Sequence, residues 1–146
     1  MLNITHTPTQ WTTTPLKKYL QAGLLAASAA ALLNLTIYLT MMLTTNNPID
    51  PLTLGSILIA SFLPNLIATL ALFTLTRWLP IPHARPLYTL GITLLVLSSI
   101  LPHLGIGPAP SPALAALPPG FNLMTIPLHL IGGLFAIFVI PYLLNR

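Results

Sequence analysis

The chain lacks cysteine entirely and contains a single acidic residue, Asp50. Without cysteine there is no disulfide, thiolate metal site or thiol redox centre, which excludes a four-helix membrane oxidoreductase that acts on thiols. One acid provides no pair of catalytic carboxylates, and the sequence contains no Ser-His-Asp set. The sequence therefore predicts a protein that is not an enzyme.

Charge of either sign is scarce. Only 4% of the 146 residues are charged and 55% are hydrophobic, so the chain cannot present the polar surface of a soluble domain. The net charge of +4 comes from five scattered basic residues, too few for the phosphate-binding patch of a nucleic-acid partner. We expect one integral membrane domain over residues 1–146, surrounded by the lipid bilayer.

Long apolar runs are abundant, and each approaches the roughly 20 residues that a helix needs to cross the hydrocarbon core. Pro15 after Thr14 and Pro51 after Asp50 are typical helix starts, because proline fits the first helical position. We predict an all-α, four-transmembrane-helix bundle whose first span is an uncleaved signal anchor. The predicted spans cover residues 16–43, 52–77, 86–102 and 121–144.

The basic residues all flank one side of these spans. They are Lys17, Lys18, Arg77, Arg85 and Arg146. Because lysine and arginine are retained on the cytoplasmic side during insertion, we predict cytoplasmic termini and an integral protein of the cell (inner) membrane. Most of the tryptophan and tyrosine residues fall at the same boundary, as an interfacial aromatic belt does. Arg77, His83 and Arg85 form a candidate contact for lipid head groups.

Two segments outside the predicted spans contain no charge at all. They are the first fourteen residues and the proline-rich stretch Gly105–Pro119. One interpretation is a mobile, weakly polar tail and loop. The other is that neighbouring protein covers both segments, and this interpretation predicts other membrane protein subunits as partners.

Small residues recur at helical spacing in the first span. Gly23, Ala27 and Ala31 form one line, and Ala26, Ala30 and Asn34 form the next. Small side chains let helix backbones approach closely in lipid, where dispersion and weak polar contacts drive association. We interpret this stripe as a helix-packing face.

Three polar side chains are predicted at similar depth in three different spans: Asn34, Asn65 and His129. The simplest hypothesis is an interhelical hydrogen-bond cluster, at about 0.6 kcal/mol per bond. A sharper hypothesis makes His129 a ligand of a haem iron or a chlorophyll magnesium. Pro64 and Pro127 each remove a backbone donor nearby, as in the broken helices of transporters.

The second half of the chain combines two features. A serine-containing helix, LLVLSSILP at Leu94–Pro102, ends in proline, and a last helix has a histidine in its outer half and a basic C-terminus. This half resembles a family of small four-span bacterial membrane proteins, a domain of unknown function. The resemblance implies four spans and supplies no activity. The matching residues are Ser98, Ser99, Pro102, His129, Pro141 and Arg146.

These patterns lead to three hypotheses of function. The first is an accessory or structural subunit that packs against other subunits of a membrane complex, such as an electron-transport or photosynthetic complex. The second is a haem- or chlorophyll-binding protein that uses His129. The third is a small transporter acting through the region of Asn34, Asn65 and His129, although no acidic or basic side chain accompanies His129 in the interior of the spans, away from their ends.

Overall fold

A computed structural model describes residues 14–45, 54–106 and 119–146. Within these residues the chain is helical and has no strand, and four helices are long and apolar enough to cross a membrane. The predicted all-α fold with four such helices is therefore confirmed. Asp50, the first thirteen residues and residues 107–118 lie outside the described part, and so does most of each uncharged segment.

The helices follow the apolar runs of the sequence. α1 is Leu16–Thr45, α2 is Leu54–Trp78, and α3 is Ile81–Ile100, extended by a 3₁₀ turn at Leu101–Leu104. α4 is Pro119–Leu134, and a π-helical turn at Phe135–Val139 joins it to the short α5, Ile140–Leu144.

α3 begins five residues before the predicted start at residue 86. Pro80 precedes it in an extended conformation, Pro82 occupies its first turn, and Pro86 lies inside it. Each helical N–H bonds to the carbonyl four residues earlier, so Pro86 would be the second residue to bond a carbonyl inside α3. Its missing N–H therefore removes only one hydrogen bond, close to the start of the helix. The proline at position 86 therefore does not mark the boundary that the sequence suggested.

The last span changes its hydrogen-bond register before Pro141. In the π-helical turn the amide of Ile140 donates to the carbonyl of Phe135, five residues earlier. The next bond in this register would run from residue 141 to Ala136, but proline has no N–H. The hydroxyl of Tyr88 on α3 donates to the Ala136 carbonyl instead, at 2.8 Å. Tyr88 therefore connects α3 to the irregular turn of the last span.

Tyr88→Phe should lower the stability of the protein by about 1–2 kcal/mol, because it leaves the buried Ala136 carbonyl without a donor. Thermal unfolding in detergent would measure the loss. Tyr142→Phe is a matched control, because Tyr142 is half exposed and its hydroxyl contacts only the exposed Arg146. Equal melting temperatures for the two variants would contradict the role assigned to Tyr88.

The core is divided unevenly among the helices. The larger cluster includes Tyr19, Ala26, Leu72 and Ile140, and Tyr88 is the α3 residue within it. A smaller cluster at the other end joins α4 to the second half of α1 through Met124. In the most apolar stretch of the third span only 17% of the residues are buried, against 39% in α1 and in the last span. α3 is thus the most peripheral helix of the bundle.

The basic residues gather at one end of the bundle, which we call the basic end. Arg77 donates to the Thr14 carbonyl at 2.9 Å, and Lys18 donates to the Leu144 carbonyl at 3.3 Å. These bonds join the start of α1 to the ends of α2 and α5. Arg85 lies in the second turn of α3, directly after the short connection from α2. We call the opposite end, where α1 and α3 finish, the far end.

Candidate functional site

The small-residue stripe of α1 packs against α2. Ala26, Ala27 and Ala30 are fully buried, Ala31 is 5% exposed, and Gly23 is also buried. At Gly23 an added Cβ atom would meet Thr69 Oγ1 and would lie 3.0 Å from Cβ and 3.1 Å from Cγ2 of Thr69. The side chain of Thr69 therefore leaves room for glycine at position 23 and for no larger residue.

Asn34 and Asn65 meet at one serine of α2. Asn34 Nδ2 donates to Ser61 Oγ at 2.9 Å, and Asn65 Nδ2 donates to the Ser61 carbonyl at 2.8 Å. Ser61 Oγ in turn donates to the Ile57 carbonyl. All three polar side chains are at most 1% exposed. They form a buried network that connects α1 to α2.

Two acceptors of this network have no hydrogen-bond partner among the described residues. They are Asn34 Oδ1 and Asn65 Oδ1, both buried. A buried acceptor without a donor costs about 1–3 kcal/mol. The network therefore fixes the register of the two helices more than it raises their stability.

Polar contacts continue along the same interface toward the basic end. Thr69 Oγ1 donates to the Asn65 carbonyl at 2.7 Å. Tyr19 and Thr76 share a buried hydrogen bond of 2.8 Å, and Thr76 donates to the Phe73 carbonyl. The hydroxyl of Thr76 has only one proton, so Tyr19 is the donor of the shared bond. These hydrogen bonds hold α1 and α2 together. Among the described residues of this interface no nucleophile has a base beside it.

His129, the third residue of the predicted polar cluster, lies in a different place. It forms no hydrogen bond to Asn34 or Asn65. Its ring instead lies 5.8 Å from the ring of His103, at an interplanar angle of 30°. His103 also contacts Phe121, with ring centroids 6.1 Å apart. The structure thus brings together two histidines from the far ends of α3 and α4.

His129 lines a groove between α2, α3 and α4, which we call the lateral groove. Its volume is about 370 Å³, toward the lower end of the range for small-molecule sites. Small residues form much of its wall, including Pro64, Ala68, Gly132 and Gly133. The groove follows the last span from Leu128 to Ala136, eight residues or about 12 Å.

The polar groups of the lateral groove lie toward the far end. His129 and Ser99 are there, together with Ala60, whose carbonyl lacks its usual helical donor because residue 64 is proline. Ser99 Oγ donates to the Val96 carbonyl at 2.8 Å, so its oxygen is left as an acceptor. The opposite end is apolar and is formed by Ala71, Ile92 and Ala136.

Among the described residues, His129 and His103 are the imidazoles placed to hold a metal cofactor. Neutral imidazole is a suitable axial ligand for haem iron. No group of three or more His, Cys, Asp or Glu side chains occurs in the described ranges, so a metal held by this chain there would depend on this pair and on other ligands. Haem or chlorophyll binding at His129 stays a prediction.

The candidate head-group residues lie at the basic end. Arg77 donates to the Thr14 carbonyl, and its guanidinium lies 4.9 Å from the centre of the Phe73 ring. His83 and Arg85 are exposed on the first turns of α3. Arg77 therefore joins the start of α1 to the end of α2 at the basic end.

Sequence reasoning missed the roles of Ser61, His103 and Tyr88. Ser61 carries one available signal, because it lies four residues before Asn65 and therefore on the same helical face. The pairing of His103 with His129 has no such signal, since the two belong to different helices.

No protein-family model, curated protein or solved structure matches the chain.

Proposed function

We propose that this protein is a non-enzymatic accessory subunit that packs against other subunits of a membrane complex. The observation that carries the proposal is the sparse packing of α3. In the most apolar stretch of its span only 17% of the residues are buried within the chain. Membrane helices associate through close packing and not through exclusion from water. A helix that packs little against its own chain leaves a long face for a neighbouring helix.

The exposed face of α3 has a shape that suits a helix. A shallow depression of about 770 Å³ runs along it and is lined by residues from Ile81 to Thr93. Over these twelve residues α3 rises about 18 Å. Thr89 and Thr93 are small residues on this strip beside the larger Leu90, and small residues are common where membrane helices meet.

The composition supports a structural function over a catalytic one. Asp50 is the only acid and there is no cysteine, so the chain offers no paired carboxylates and no thiolate. The buried polar groups of α1 and α2 are mostly engaged with each other. The resemblance to small four-span bacterial proteins fits this proposal and leaves the complex unnamed.

The basic end is proposed to face the cytoplasm of the cell. It gathers Lys18, Arg77 and Arg85 with the C-terminal Arg146. Basic residues are retained on that side during insertion. Both termini would then be cytoplasmic, and Arg85 would face anionic lipid, an attraction of about 1 kcal/mol, with the exposed His83 on the same turns of α3.

Single cysteines test the proposal, because the chain has none of its own. Leu90→Cys lies in the α3 depression, and Leu25→Cys is a matched control on α1 with similar exposure, 61% against 56%. With a photoactivatable maleimide in native membranes, we expect Leu90→Cys to crosslink to one different polypeptide that also co-purifies. His83→Cys should react with a membrane-impermeant maleimide from the cytoplasmic side alone.

A stable monomer without co-purifying chains would contradict the subunit proposal. Adducts of twice the chain mass would indicate self-association instead, and equal crosslinking from Leu25→Cys would show random collision. Labelling of His83→Cys from the opposite side would overturn the orientation and leave the packing proposal untouched.

A further inference from the structure

We propose that the lateral groove binds one lipid-soluble quinol, with its hydroxylated ring at the His129 end and its apolar tail toward Ala136. This site goes beyond the subunit proposal and uses a different surface from the α3 depression. The proposal depends on the size of the groove, on the distribution of its polar groups and on the imidazole ring of His129 at one end.

The size of the groove suits a narrow molecule. The lining residues of α2 extend from Ala60 to Ala71, eleven residues or about 16 Å. The groove offers about 370 Å³ over that length, so it suits a slender, elongated occupant.

The polar groups select a molecule that is apolar along most of its length. His129 and Ser99 provide polar side chains at one end of the groove, and the Ala60 carbonyl lacks a helical donor there. At the opposite end Ala71, Ile92 and Ala136 offer only apolar contact. An occupant of matching chemistry has one polar head and an apolar tail.

The head must both donate and accept hydrogen bonds. A neutral imidazole has one donor and one acceptor, and the Ser99 oxygen and the Ala60 carbonyl are acceptors. A hydroxyl group satisfies both requirements, whereas a ketone or ester carbonyl cannot donate. This favours the reduced quinol over the oxidised quinone.

The surroundings of His129 favour an aromatic head over an aliphatic alcohol. The His129 ring lies against His103, and His103 lies against Phe121. Of these three rings His129 lines the groove, so an aromatic head in the groove can stack on its imidazole. His129 is ten residues after Pro119, the first residue of α4, or about 15 Å along the helix. The ester groups of phospholipids lie at the membrane interface and would not reach this depth.

Two glycines allow a matched test. A Cβ atom at Gly132, in the groove wall, would meet nothing within 4 Å, and the same holds for Gly91 on α3 outside the groove. Gly132→Leu should therefore fill the groove without disturbing the fold. Gly91→Leu adds the same side chain at a position that the ligand does not use.

Native mass spectrometry of the full chain with decylubiquinol tests the proposal. We expect one saturable adduct per wild-type chain, at least tenfold weaker binding to Gly132→Leu, and unchanged binding to Gly91→Leu. His129→Phe keeps a ring beside His103 and removes the hydrogen bonds, so binding should weaken about two- to tenfold. Decylubiquinone should bind more weakly than the quinol.

Several results would overturn the proposal. They are the absence of a saturable adduct with wild type, equal binding to wild type and Gly132→Leu, and equal or tighter binding of cholestanol or phosphatidylcholine. If Gly132→Leu fails to fold, unchanged binding by His129→Phe overturns it independently. Visible absorption bands in the purified wild type that His129→Phe abolishes would show a haem or pigment at His129 instead.

Discussion

Gly23→Leu is expected to destabilise the bundle by about 3 kcal/mol, at the upper end of the usual range for overpacking. A Cβ atom at position 23 would already lie 3.0 Å from Thr69 Cβ, and a leucine would add three more carbons at the same place. Thr69 cannot turn away easily, because it is fully buried and its hydroxyl is bound to the Asn65 carbonyl. α1 and α2 would have to separate along their main contact.

The loss can be measured by unfolding the protein in mixed micelles with increasing SDS. Gly91→Leu is the control, because the same added side chain meets open space on α3. Thr69→Ala should restore part of the stability of Gly23→Leu by removing the atoms nearest to the new side chain. A stability loss equal to that of Gly91→Leu would show that α1 and α2 do not pack as closely as described.

The helices were predictable because each depends on the local sequence. A run of about 20 apolar residues can cross hydrocarbon only as a helix, whatever surrounds it. The line through Gly23, Ala27 and Ala31 was predictable for the same reason, since helical spacing alone places these residues on one face. The predicted third span starts at residue 86 because proline fits the first position of a helix, and α3 extends five residues further, with Pro86 in its second turn.

The groove and its histidines could not be predicted in this way. Asn34, Asn65 and His129 have similar depth, but depth does not determine which helix face each occupies. Asn65 and Ser61 share a face of α2 that meets α1, while Pro64 and Ala68 face the groove. The position of His129 depends on how α3 and α4 cross, and this is a property of tertiary packing.

The bundle thus has two sides of different character. Toward α1 and α2 the interface is closed by small residues and buried hydrogen bonds. Toward α3 the packing is sparse, and both the depression and the lateral groove lie there. A protein that acts by binding other membrane components needs a rigid half to hold its shape and an open half to receive them. We therefore expect variants that change binding to map to the α3 depression and the lateral groove, and the largest losses of stability to come from the interface of α1 and α2.

Asn34→Asp should lower the stability of the bundle by about 3 kcal/mol, because it places a charge deep in a membrane helix. The Ser61 hydroxyl already donates its only proton to the Ile57 carbonyl, so it can only accept from residue 34. The amide of Asn34 provides that donor, whereas an ionised carboxylate provides none. The substitution removes one hydrogen bond and places two acceptors against each other in a site that is fully buried.

Asn34→Leu is the matched variant, and its effect should stay within about 1 kcal/mol of wild type. It loses one interhelical hydrogen bond, which in membrane proteins averages about 0.6 kcal/mol. It also removes the buried Oδ1 acceptor, which has no partner among the described residues, and this offsets the loss.

SDS unfolding of both variants in the same micelles gives the comparison. Equal losses for the aspartate and leucine variants would mean that shape, and not the donor to Ser61, is what position 34 contributes. Quinol binding at the lateral groove should survive Asn34→Leu, because the network and the groove lie on different faces of α2.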